Sequence, residues 1–543
     1  MGPVAKIPPL SRDKAPHPYD GERLNVMQDT PATSDTAGCD GLGDMNAGLA
    51  RDDKPLRHRP SLLKDQSRFE REVLDPIKKV VGKGGLITDR NAMQPLMVAW
   101  RDSWEGRVPA VVQPSTTQEL ADVVRICAMT QTPIVPQGGN TGLTGGGQPH
   151  DDDSEIVIST ARLNRIRDLD LDNNTITVEA GCILATIQQA ARDADRLFPL
   201  SLGAEGSCQI GGNISTNAGG VQVLRYGNTR NLVCGLEVVL PDGRIWNGLR
   251  GLRKDNSGYD LKQLFIGAEG TLGIVTAATL RLFPLPKVSA TALLATHSPR
   301  HAVAWLRRAK TMLGDRISSI ELIERVCIDV ACKHSDRVQD PLTQRYPWYL
   351  LVELTDQDPN DDLESRLLGA FEKGAEAEEI LDGVVAASAE QAKALWRIRE
   401  ATPETHRHEG ISYKHDVSVP ISRIADFIAQ ANEALANRFP GIRSFAFGHL
   451  GDGNIHFNPL QAEGGSPDEW RPRLAEVNRI VHDIVARLGG SITAEHGIGR
   501  LRIAEMERYK SDVELDMMAT LKAAFDPMNL LNPGKVIPNR VLK

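Results

Sequence analysis

Three glycine-rich segments between residues 133 and 284 constrain the fold of this chain more than any other feature. Glycine leaves backbone N–H groups open to a ligand, and a run of such groups binds phosphate oxygens. Long loops are usually functional, although a mobile surface loop is the alternative for any one of them. Together they predict one large, extended, phosphate-containing ligand. The segments are "PIVPQGGNTGLTGGG" (residues 133–147), "SLGAEGSCQIGGNISTNAGG" (201–220) and "FIGAEGTLGIVTAATLRLFP" (265–284).

The first of these loops matches neither of two common nucleotide-binding fingerprints. It follows a strand pattern, but no helix pattern comes directly after it. It contains neither G-x-G-x-x-G at a strand–helix turn nor G-x-x-x-x-G-K-[ST]. A Rossmann fold and a P-loop are therefore not predicted at this position.

Composition excludes several classes of protein. The net charge of −8 and the isoelectric point near 6.0 argue against a general nucleic-acid binder. The seven cysteines are scattered and include no C-x-x-C, which predicts a reducing compartment without disulfides or an iron–sulfur cluster. No apolar run approaches the roughly 18–20 residues of a membrane span. These features predict a soluble, cytoplasmic protein.

The chain divides into four predicted regions. Residues 1–67 form a Pro-, Gly- and Asp-rich leader that resembles neither a secretory signal nor a mitochondrial presequence, and we expect it to be disordered. From residue 68 to 284, strand and helix patterns alternate, with Thr116 or Thr117 as the N-cap of one helix. From 285 to 510, long amphipathic helices alternate with strands, which predicts an α+β region with an antiparallel sheet. Residues 511–543 are a separate C-terminal segment.

The stretch "FGHLGDGNIHFN" (residues 447–458) predicts a pair of metal ligands. Its two glycines oppose a helix, whereas Asp452-Gly453 favours a two-residue hairpin turn. That turn pairs His449 directly with His456 and brings their Cβ atoms to about 4.5–5.5 Å. Two imidazoles at this separation can share one metal ion. Two cross-strand histidines with a purely structural role are the alternative.

Six motifs in a fixed order carry a family resemblance. The chain resembles the FAD-binding oxidoreductases of the vanillyl-alcohol-oxidase type over roughly residues 70–540. Within that family it is similar to the D-2-hydroxyacid dehydrogenase branch, which includes D-2-hydroxyglutarate dehydrogenase, FAD-linked D-lactate dehydrogenase and the flavoprotein subunit of glycolate oxidase. The motifs are "VPQGGNTGLTGG", "IGGNISTNAGG", "GAEGTLGIVT", "GHLGDGNIH", "AEHGIG" and "LNPGK".

The resemblance implies an α+β protein with FAD as its cofactor. A PCMH-type FAD-binding domain of two α/β subdomains would occupy residues 68–284, with its core at 105–284. An antiparallel-sheet substrate domain would occupy 285–510, and residues 511–543 would return to the flavin. Because the first loop contains no histidine, we expect noncovalent FAD. The implied FAD-binding residues are Gln137, Gly138, Gly139, Asn140, Thr141, Gly142, Leu143, Gly206, Ser207, Gly211, Gly212, Asn213, Asn217, Gly273, Ile274, Val275 and Asn532.

The resemblance also completes the metal site. "ITAEHGIGR" (residues 492–500) offers Glu495 as a third ligand beside His449 and His456. Two histidines and one carboxylate leave open positions on a divalent ion, for which zinc is expected and manganese, iron or cobalt are alternatives. His496, adjacent to the carboxylate ligand, is then the predicted general base.

The resemblance implies that Arg399, Lys414, Asn458 and His496 bind the substrate. Asn458 lies two residues after a predicted ligand, so the strand pleat points it to the same face; a surface amide is the alternative. The arginine and lysine would bind carboxylate, whereas a solvated helix arginine and a water-facing strand lysine are the alternatives. In D-2-hydroxyglutarate dehydrogenases we expect a threonine four residues after the arginine, and here that position is Pro403.

The implied reaction is oxidation of a D-2-hydroxy acid to the 2-oxo acid, with hydride transfer to flavin N5. D-2-hydroxyglutarate is the preferred substrate, and D-lactate or glycolate is the alternative. Two rival functions are a non-redox flavin-dependent synthase of ether lipids and a subunit that only relays electrons. No nicotinamide fingerprint is present, so the expected electron acceptor is an electron-transfer flavoprotein, a quinone-linked partner or oxygen. No nucleic-acid partner is expected, and a homodimer is left open.

Overall fold

The structure is a computed structural model of the 543-residue chain, and it describes residues 65–99, 105–538 and 541–542. Apart from residues 65–67, the predicted leader lies outside the described residues. The rest forms helices and sheets, and the predicted α+β class is confirmed. No helix in these described ranges is long and apolar enough to cross a membrane.

The amino-terminal part, up to residue 284, contains short strands and helices. Its strands are β1 (Leu86–Ile87), β2 (Val111–Val112), β3 (Ile134–Gln137), β4 (Ile156–Ser159), β5 (Ile166–Asp170), β6 (Thr175–Glu179), β7 (Arg196–Leu197), β8 (Val233–Val239), β9 (Ile245–Gly248), β10 (Ile274–Arg281) and β11 (Phe283–Pro284). Its helices are α1 (Gln66–Phe69), α2 (Asp75–Val81), α3 (Arg90–Met97), α4 (Thr117–Thr130), α5 (Leu184–Asp193), α6 (Ile210–Ser215), α7 (Val223–Tyr226) and α8 (Thr229–Leu232).

Two main sheets organise this part. The four-stranded sheet has the order β1–β2–β4–β3, in which β2, β4 and β3 are parallel and β1 is antiparallel to β2. The five-stranded sheet has the order β5–β6–β10–β8–β9 and is wholly antiparallel. The strands β7 and β11 form a separate two-stranded ribbon. The first glycine loop follows β3, the second contains α6, and the third leads into β10. The two sheets therefore bring all three loops together.

The helix α4 shows how local sequence sets these elements. Thr116 is its N-cap, as predicted, and its side chain accepts a hydrogen bond from the backbone N–H of Glu119. Leu120, Val124 and Cys127 recur at helical spacing and are fully buried. They anchor the helix in the apolar core that it shares with the four-stranded sheet.

The second part, from β12 onward, is built on one large sheet. Its strands are β12 (Val288–Thr296), β13 (Ile317–Glu324), β14 (Trp348–Asp356), β15 (Asp382–Val385), β16 (His415–Ser418), β17 (Ala446–His449) and β18 (Asn454–Phe457). The sheet order is β15–β12–β14–β13–β17–β18–β16, and every neighbouring pair is antiparallel, which confirms the predicted antiparallel sheet. The helices are α9 (Pro299–Leu313), α10 (Arg325–His334), α11 (Leu363–Glu376), α12 (Ala389–Thr405), α13 (Ile424–Arg438), α14 (Pro467–Trp470), α15 (Leu474–Arg487), α16 (Ile503–Tyr509) and α17 (Asp512–Phe525).

Helices cover both faces of this sheet. Leu294 and Leu350 point to the face where α9, α11, α13 and α15 pack. Leu293 and Leu351, their sequence neighbours, point to the face covered by α10 and α12. Strands buried on both faces carry apolar residues at successive positions. A charged residue inside such a strand therefore needs a partner within the protein.

The hairpin between β17 and β18 differs from the predicted register. His449 pairs with Asn454, and Phe447 pairs with His456, so the two histidines are diagonal neighbours rather than directly opposed. The loop has four residues because Leu450 does not pair with β18. The N–H of Leu450 instead donates to Ile320 O of β13, and the Leu450 side chain packs in the core. The register is shifted by two residues, and an even shift keeps both histidines on one face.

The C-terminal segment packs on the amino-terminal part. Helix α17 begins at a capping box of Ser511 and Glu514. After the helix, Ile134 of β3 donates its N–H to Leu530 O at 2.8 Å and accepts from Asn532 N at 2.7 Å. The segment therefore lies beside the strand from which the first glycine loop leaves.

Candidate active site

A cleft with a cavity volume of about 150 Å³ lies between the glycine loops. His496 belongs to its lining, although it comes from the second part of the chain. The predicted flavin residues that line the cleft are Gln137, Gly138, Gly139, Asn140, Thr141, Gly142, Gly211, Gly212, Asn213, Gly273, Ile274 and Val275.

The other predicted flavin residues support the loops from behind or lie beside them. Asn532 is buried, and its Nδ2 donates to Gly146 O and Glu269 O, both at 2.8 Å. It therefore ties the first and third glycine loops together. Asn217 accepts the N–H of Arg230 on its Oδ1 at 2.9 Å. The predicted residues outside the lining are Leu143, Gly206, Ser207, Asn217 and Asn532.

The cleft fits FAD in its backbone and in its polar side chains. A methyl carbon at Gly139 would lie 2.2 Å from the carbonyl oxygen of Ser207, so the loops approach more closely than any other residue allows. Bare N–H groups at such positions suit a pyrophosphate. Three buried acceptors of the lining, Gln137 Oε1, Gln148 Oε1 and Asn213 Oδ1, have no hydrogen-bond partner among the residues that the structure describes. Ligand hydroxyl or N–H groups would satisfy these acceptors.

Glu269 connects the flavin cleft to the segment that carries His496. Its carboxylate is buried beside the cleft and accepts the N–H groups of Ile498 at 2.7 Å and Gly499 at 2.8 Å. Burial raises the pKa of Glu269 to about 7, against those two hydrogen bonds. Thr144 of the first glycine loop also donates to the carbonyl oxygen of His496 at 3.0 Å. Two of the three glycine loops therefore hold this segment in place.

His449, His456 and Glu495 form a compact cluster of metal-ligating groups. One ligand atom from each lies within 4.8 Å of the others. His449 Nε2 is 3.7 Å from Glu495 Oε1, and His456 Nε2 is 4.0 Å from Glu495 Oε2. Two ligands of a tetrahedral zinc ion are about 3.3–3.6 Å apart, so small side-chain movements would fit one ion. The predicted hairpin register was wrong, but His449, His456 and Glu495 lie together as predicted.

Glu321 lies behind the cluster and binds His449. It is fully buried on β13, and its Oε1 accepts His449 Nδ1–H at 2.5 Å. Burial alone would lower the pKa of His449, but the glutamate raises it to about 9. Burial alone would raise the pKa of Glu321, whereas His449 and Arg399 lower it to about 2. A metal ion must therefore displace a proton from the histidine.

Asp416 supports the opposite side of the cluster. Its Oδ2 accepts the N–H groups of Glu495 and His496 at 2.9 Å each, and its Oδ1 accepts Asn454 Nδ2 at 3.0 Å. The carboxylate also lies 3.7 Å from His456 Nδ1. Burial would raise the pKa of Asp416, but the nearby histidines and these hydrogen bonds hold it well below its usual value. Asp416, Glu495 and His496 also lie close enough together to hold a metal ion. Because the Asp416 carboxylate already accepts these hydrogen bonds, we assign it a supporting role rather than that of a ligand.

The pKa values of the remaining cluster members follow from burial. Burial lowers the pKa of His456, with Asp416 opposing the shift. Burial raises the pKa of Glu495, and His449 opposes that shift. A divalent cation held beside Glu495 would oppose this shift and stabilise its carboxylate form.

The predicted substrate residues have different environments. Arg399 on α12 is buried, and its guanidinium stacks 4.7 Å from the Phe447 ring centroid. Asn458 is buried and accepts the N–H of His415 on Oδ1 at 3.1 Å. Lys414 is exposed and lies directly before β16 rather than within that strand. The N–H of the preceding residue, Tyr413, donates to Pro459 O at 3.0 Å.

Comparisons with known proteins identify the family of this chain. Residues 108–248 match the FAD binding domain family, and residues 285–536 match the C-terminal domain of FAD linked oxidases. The mitochondrial D-2-hydroxyglutarate dehydrogenase of Danio rerio is 37% identical over 458 residues, which cover 84% of each chain. The D-2-hydroxyglutarate dehydrogenase of Xanthomonas citri pv. viticola is 37% identical over 437 residues, or 80% of this chain and 91% of the relative. The chain belongs to the D-2-hydroxyglutarate dehydrogenase family of FAD-linked oxidases.

Solved structures share the family's fold at low sequence identity. p-Cresol methylhydroxylase with substrate bound has a TM-score of 0.68 at 17% identity, over 88% of this chain and 98% of that one. Alkyldihydroxyacetonephosphate synthase has a TM-score of 0.65 at 16% identity, over 86% of each chain. These likenesses confirm the predicted PCMH-type fold. At such identities they do not distinguish a dehydrogenase from the rival synthase.

Proposed function

We propose that this chain is an FAD- and divalent-metal-dependent dehydrogenase that oxidises D-2-hydroxyglutarate to the 2-oxo acid. The observation that carries the proposal is the position of His496. This residue lines the glycine-walled cleft, and its neighbour Glu495 belongs to the cluster with His449 and His456. The proposed flavin site, metal site and base are therefore adjacent, as hydride removal from a hydroxy acid requires.

Each residue of the site has a proposed role in the reaction. Bound FAD would accept the hydride from C2, and a metal ion held by the two histidines and the glutamate would make the 2-hydroxyl more acidic. His496 takes the hydroxyl proton on a ring nitrogen, so loss of a proton and a hydride gives the 2-oxo acid. Arg399, Lys414 and Asn458 bind the substrate carboxylates and fix C2 relative to the cleft.

We propose zinc as the metal, with manganese, iron or cobalt as alternatives. Two imidazoles and one carboxylate with positions left open are a ligand set common in catalytic zinc sites. The FAD is proposed to be noncovalent. Burial raises the pKa of the Cys208 thiol in the cleft lining to about 11, which disfavours the reactive thiolate.

The preference for D-2-hydroxyglutarate rests on the relatives' names and on a carboxylate-binding arginine. Pro403 on α12 argues for a second candidate, a smaller acid such as D-lactate or glycolate. It lies one turn after Arg399, where a hydroxyl side chain could bind a distal carboxylate. Thr402 does not replace it, because its hydroxyl donates to Ile398 O within its own helix.

We also propose the electron acceptor and the compartment. An electron-transfer flavoprotein or a quinone-linked partner would reoxidise the flavin, since no nicotinamide fingerprint is present. The cytoplasmic location stays a prediction, because several relatives are named mitochondrial and residues 1–64 lie outside the described ranges. The stopped-flow rate of flavin reoxidation in air-saturated buffer would separate an oxidase, which reoxidises fast, from a dehydrogenase.

The test is anaerobic reduction of the purified protein. We expect a flavin absorption band that D-2-hydroxyglutarate bleaches and the L-enantiomer does not, with turnover when an artificial acceptor is added. D-Lactate and glycolate should bleach the flavin less efficiently. A protein without flavin, or one that no D-2-hydroxy acid bleaches, would contradict the proposal. An isolated chain without turnover would favour the electron-relay alternative.

A further inference from the structure

Glu321 is a charged residue in the interior of the large sheet. It lies on β13, where every residue except the last is buried, and its own exposure is 0%. Its neighbours along the strand, Ile320 and Leu322, belong to the apolar core on the opposite face. A carboxylate in this position is costly to bury unless its oxygens are bound. Its sequence context gives no functional motif that would explain it.

Both oxygens of Glu321 bind residues of the active site. Oε1 accepts His449 Nδ1–H at 2.5 Å, and Oε2 accepts Arg399 Nε–H at 2.6 Å. The guanidinium is further fixed against Phe447, whose ring also packs 5.0 Å from His456. One carboxylate thus joins a proposed metal ligand to a proposed substrate residue.

The geometry has a direct consequence for His449. Since Nδ1 carries the proton that Glu321 accepts, Nε2 is the nitrogen left for a metal ion, and Nε2 is the atom that faces Glu495. A carboxylate behind a ligating histidine fixes both the tautomer and the ring orientation. The consequence for Arg399 is similar, because only Nε is used by the glutamate and the terminal nitrogens stay available.

We propose that Glu321 is a positioning residue that couples metal binding to substrate binding. Through His449 it sets the affinity for the metal ion, and through Arg399 it sets the affinity for the substrate carboxylate. The inference rests on the proposed function and adds to it a residue that touches neither substrate nor metal. The two affinities should therefore fall together when this carboxylate is lost.

Glu353 supplies a matched control on the neighbouring strand. It is a partly buried glutamate of β14, and Trp396 of α12 donates to it at 2.8 Å, as Arg399 of the same helix donates to Glu321. Its carboxylate also accepts the hydroxyl of Ser318 at 3.2 Å, and neither of these partners is a proposed ligand or substrate residue. Loss of this carboxylate tests the effect of changing a partly buried glutamate under the same helix.

The test compares Glu321→Gln with Glu353→Gln. An amide offers one acceptor, so either His449 or Arg399 would face an N–H donor in place of an oxygen. We expect zinc affinity, measured by competition with a chelator, to fall about 10- to 100-fold in Glu321→Gln. At saturating zinc, KM for D-2-hydroxyglutarate should still rise at least about fivefold, because Arg399 has lost its anchor. Glu353→Gln should change either quantity by less than about twofold, and flavin content should be unchanged in both variants.

A double variant separates positioning from a general loss of structure. If the carboxylate acts on the metal through His449, then adding Glu321→Gln to His449→Ala should lower zinc affinity no further. Should Glu321→Gln fail to fold, Glu321→Asp keeps the buried charge but is too short to reach both partners. That variant should fold and lose at least about tenfold in zinc affinity.

The outcomes distinguish failure of this inference from failure of the proposed function. Wild-type protein that binds no divalent metal ion, or oxidises no D-2-hydroxy acid, overturns both. Active wild-type protein whose Glu321→Gln variant behaves like Glu353→Gln overturns the inference alone. Equal losses of zinc affinity with and without His449 also overturn it, because the effect would then be a general one.

Discussion

The flavin cleft and the histidine cluster meet at His496, but they are built in different ways. The cleft is made of backbone, because the glycine loops approach so closely that Gly139 has no room for a Cβ atom. The cluster is made of side chains from β17, β18 and the segment around Glu495, supported by buried carboxylates on β13 and β16. A backbone site depends on a few local residues, whereas a side-chain site depends on strand register and on supporting residues that are distant in sequence.

The largest expected effects separate the two proposed roles within the cluster. His456→Ala removes one of three ligands, so metal content and turnover should be lost while FAD stays bound in its own domain. His496→Ala removes the base but no ligand, so metal should remain and flavin reduction should slow about 10²–10⁴-fold. Metal analysis and stopped-flow spectra distinguish the two outcomes. His301→Ala, which alters a histidine outside the cluster, is the control.

Two results with these variants would contradict the proposed difference between the cleft and the cluster. If His456→Ala keeps full metal content and full activity, the hairpin histidines are structural. If His456→Ala also loses its flavin, the two regions are not independently built.

A second, smaller effect is expected in the cleft. In Gly139→Ala the added methyl would lie 2.2 Å from Ser207 O, so the loops must separate. Such overpacking costs about 1–3 kcal/mol, which is roughly 5- to 150-fold in FAD affinity if the whole cost falls on binding. Gly203→Ala is the control, because no atom lies within 4 Å of its Cβ position. Flavin content after gel filtration should fall only in the first variant, and equal retention in both would contradict the backbone account.

The smallest expected effect concerns substrate choice. Pro403→Thr places a hydroxyl one helical turn after Arg399, where it can donate to a distal carboxylate. One such hydrogen bond is worth about 0.5–1.5 kcal/mol, so KM for D-2-hydroxyglutarate should fall about two- to tenfold. D-Lactate has no distal carboxylate, and its KM should not change. A similar change for both acids would show that the substitution acts on the helix rather than on recognition.

The contrast between local and distant determinants also explains which features could be predicted from the sequence. Glycine loops, the Thr116 cap and the antiparallel sheet follow local patterns, and the structure contains them. The hairpin register did not follow, because Asp452-Gly453 is a strong turn signal whichever pairing Leu450 makes. That choice is decided by β13, which lies more than a hundred residues earlier in the chain.

The supporting carboxylates were missed for a related reason. Glu269, Glu321 and Asp416 act through partners that are distant in sequence, so no local motif identifies them. One signal was available in "ISSIELIE", where Glu321 stands between the apolar residues Ile320 and Leu322. In a strand with both faces covered, such a residue must have a buried partner. Which partner it has is a property of the assembled sheet.

The account's central claim is that the flavin cleft and the metal cluster form one active site with separable parts. The most direct measurement is anaerobic flavin reduction by D-2-hydroxyglutarate before chelation, after chelation and after zinc is restored. We predict that the chelated protein keeps its FAD spectrum, that substrate no longer bleaches it at a comparable rate, and that zinc restores bleaching. Undiminished bleaching of a protein shown by analysis to be metal-free would contradict the claim.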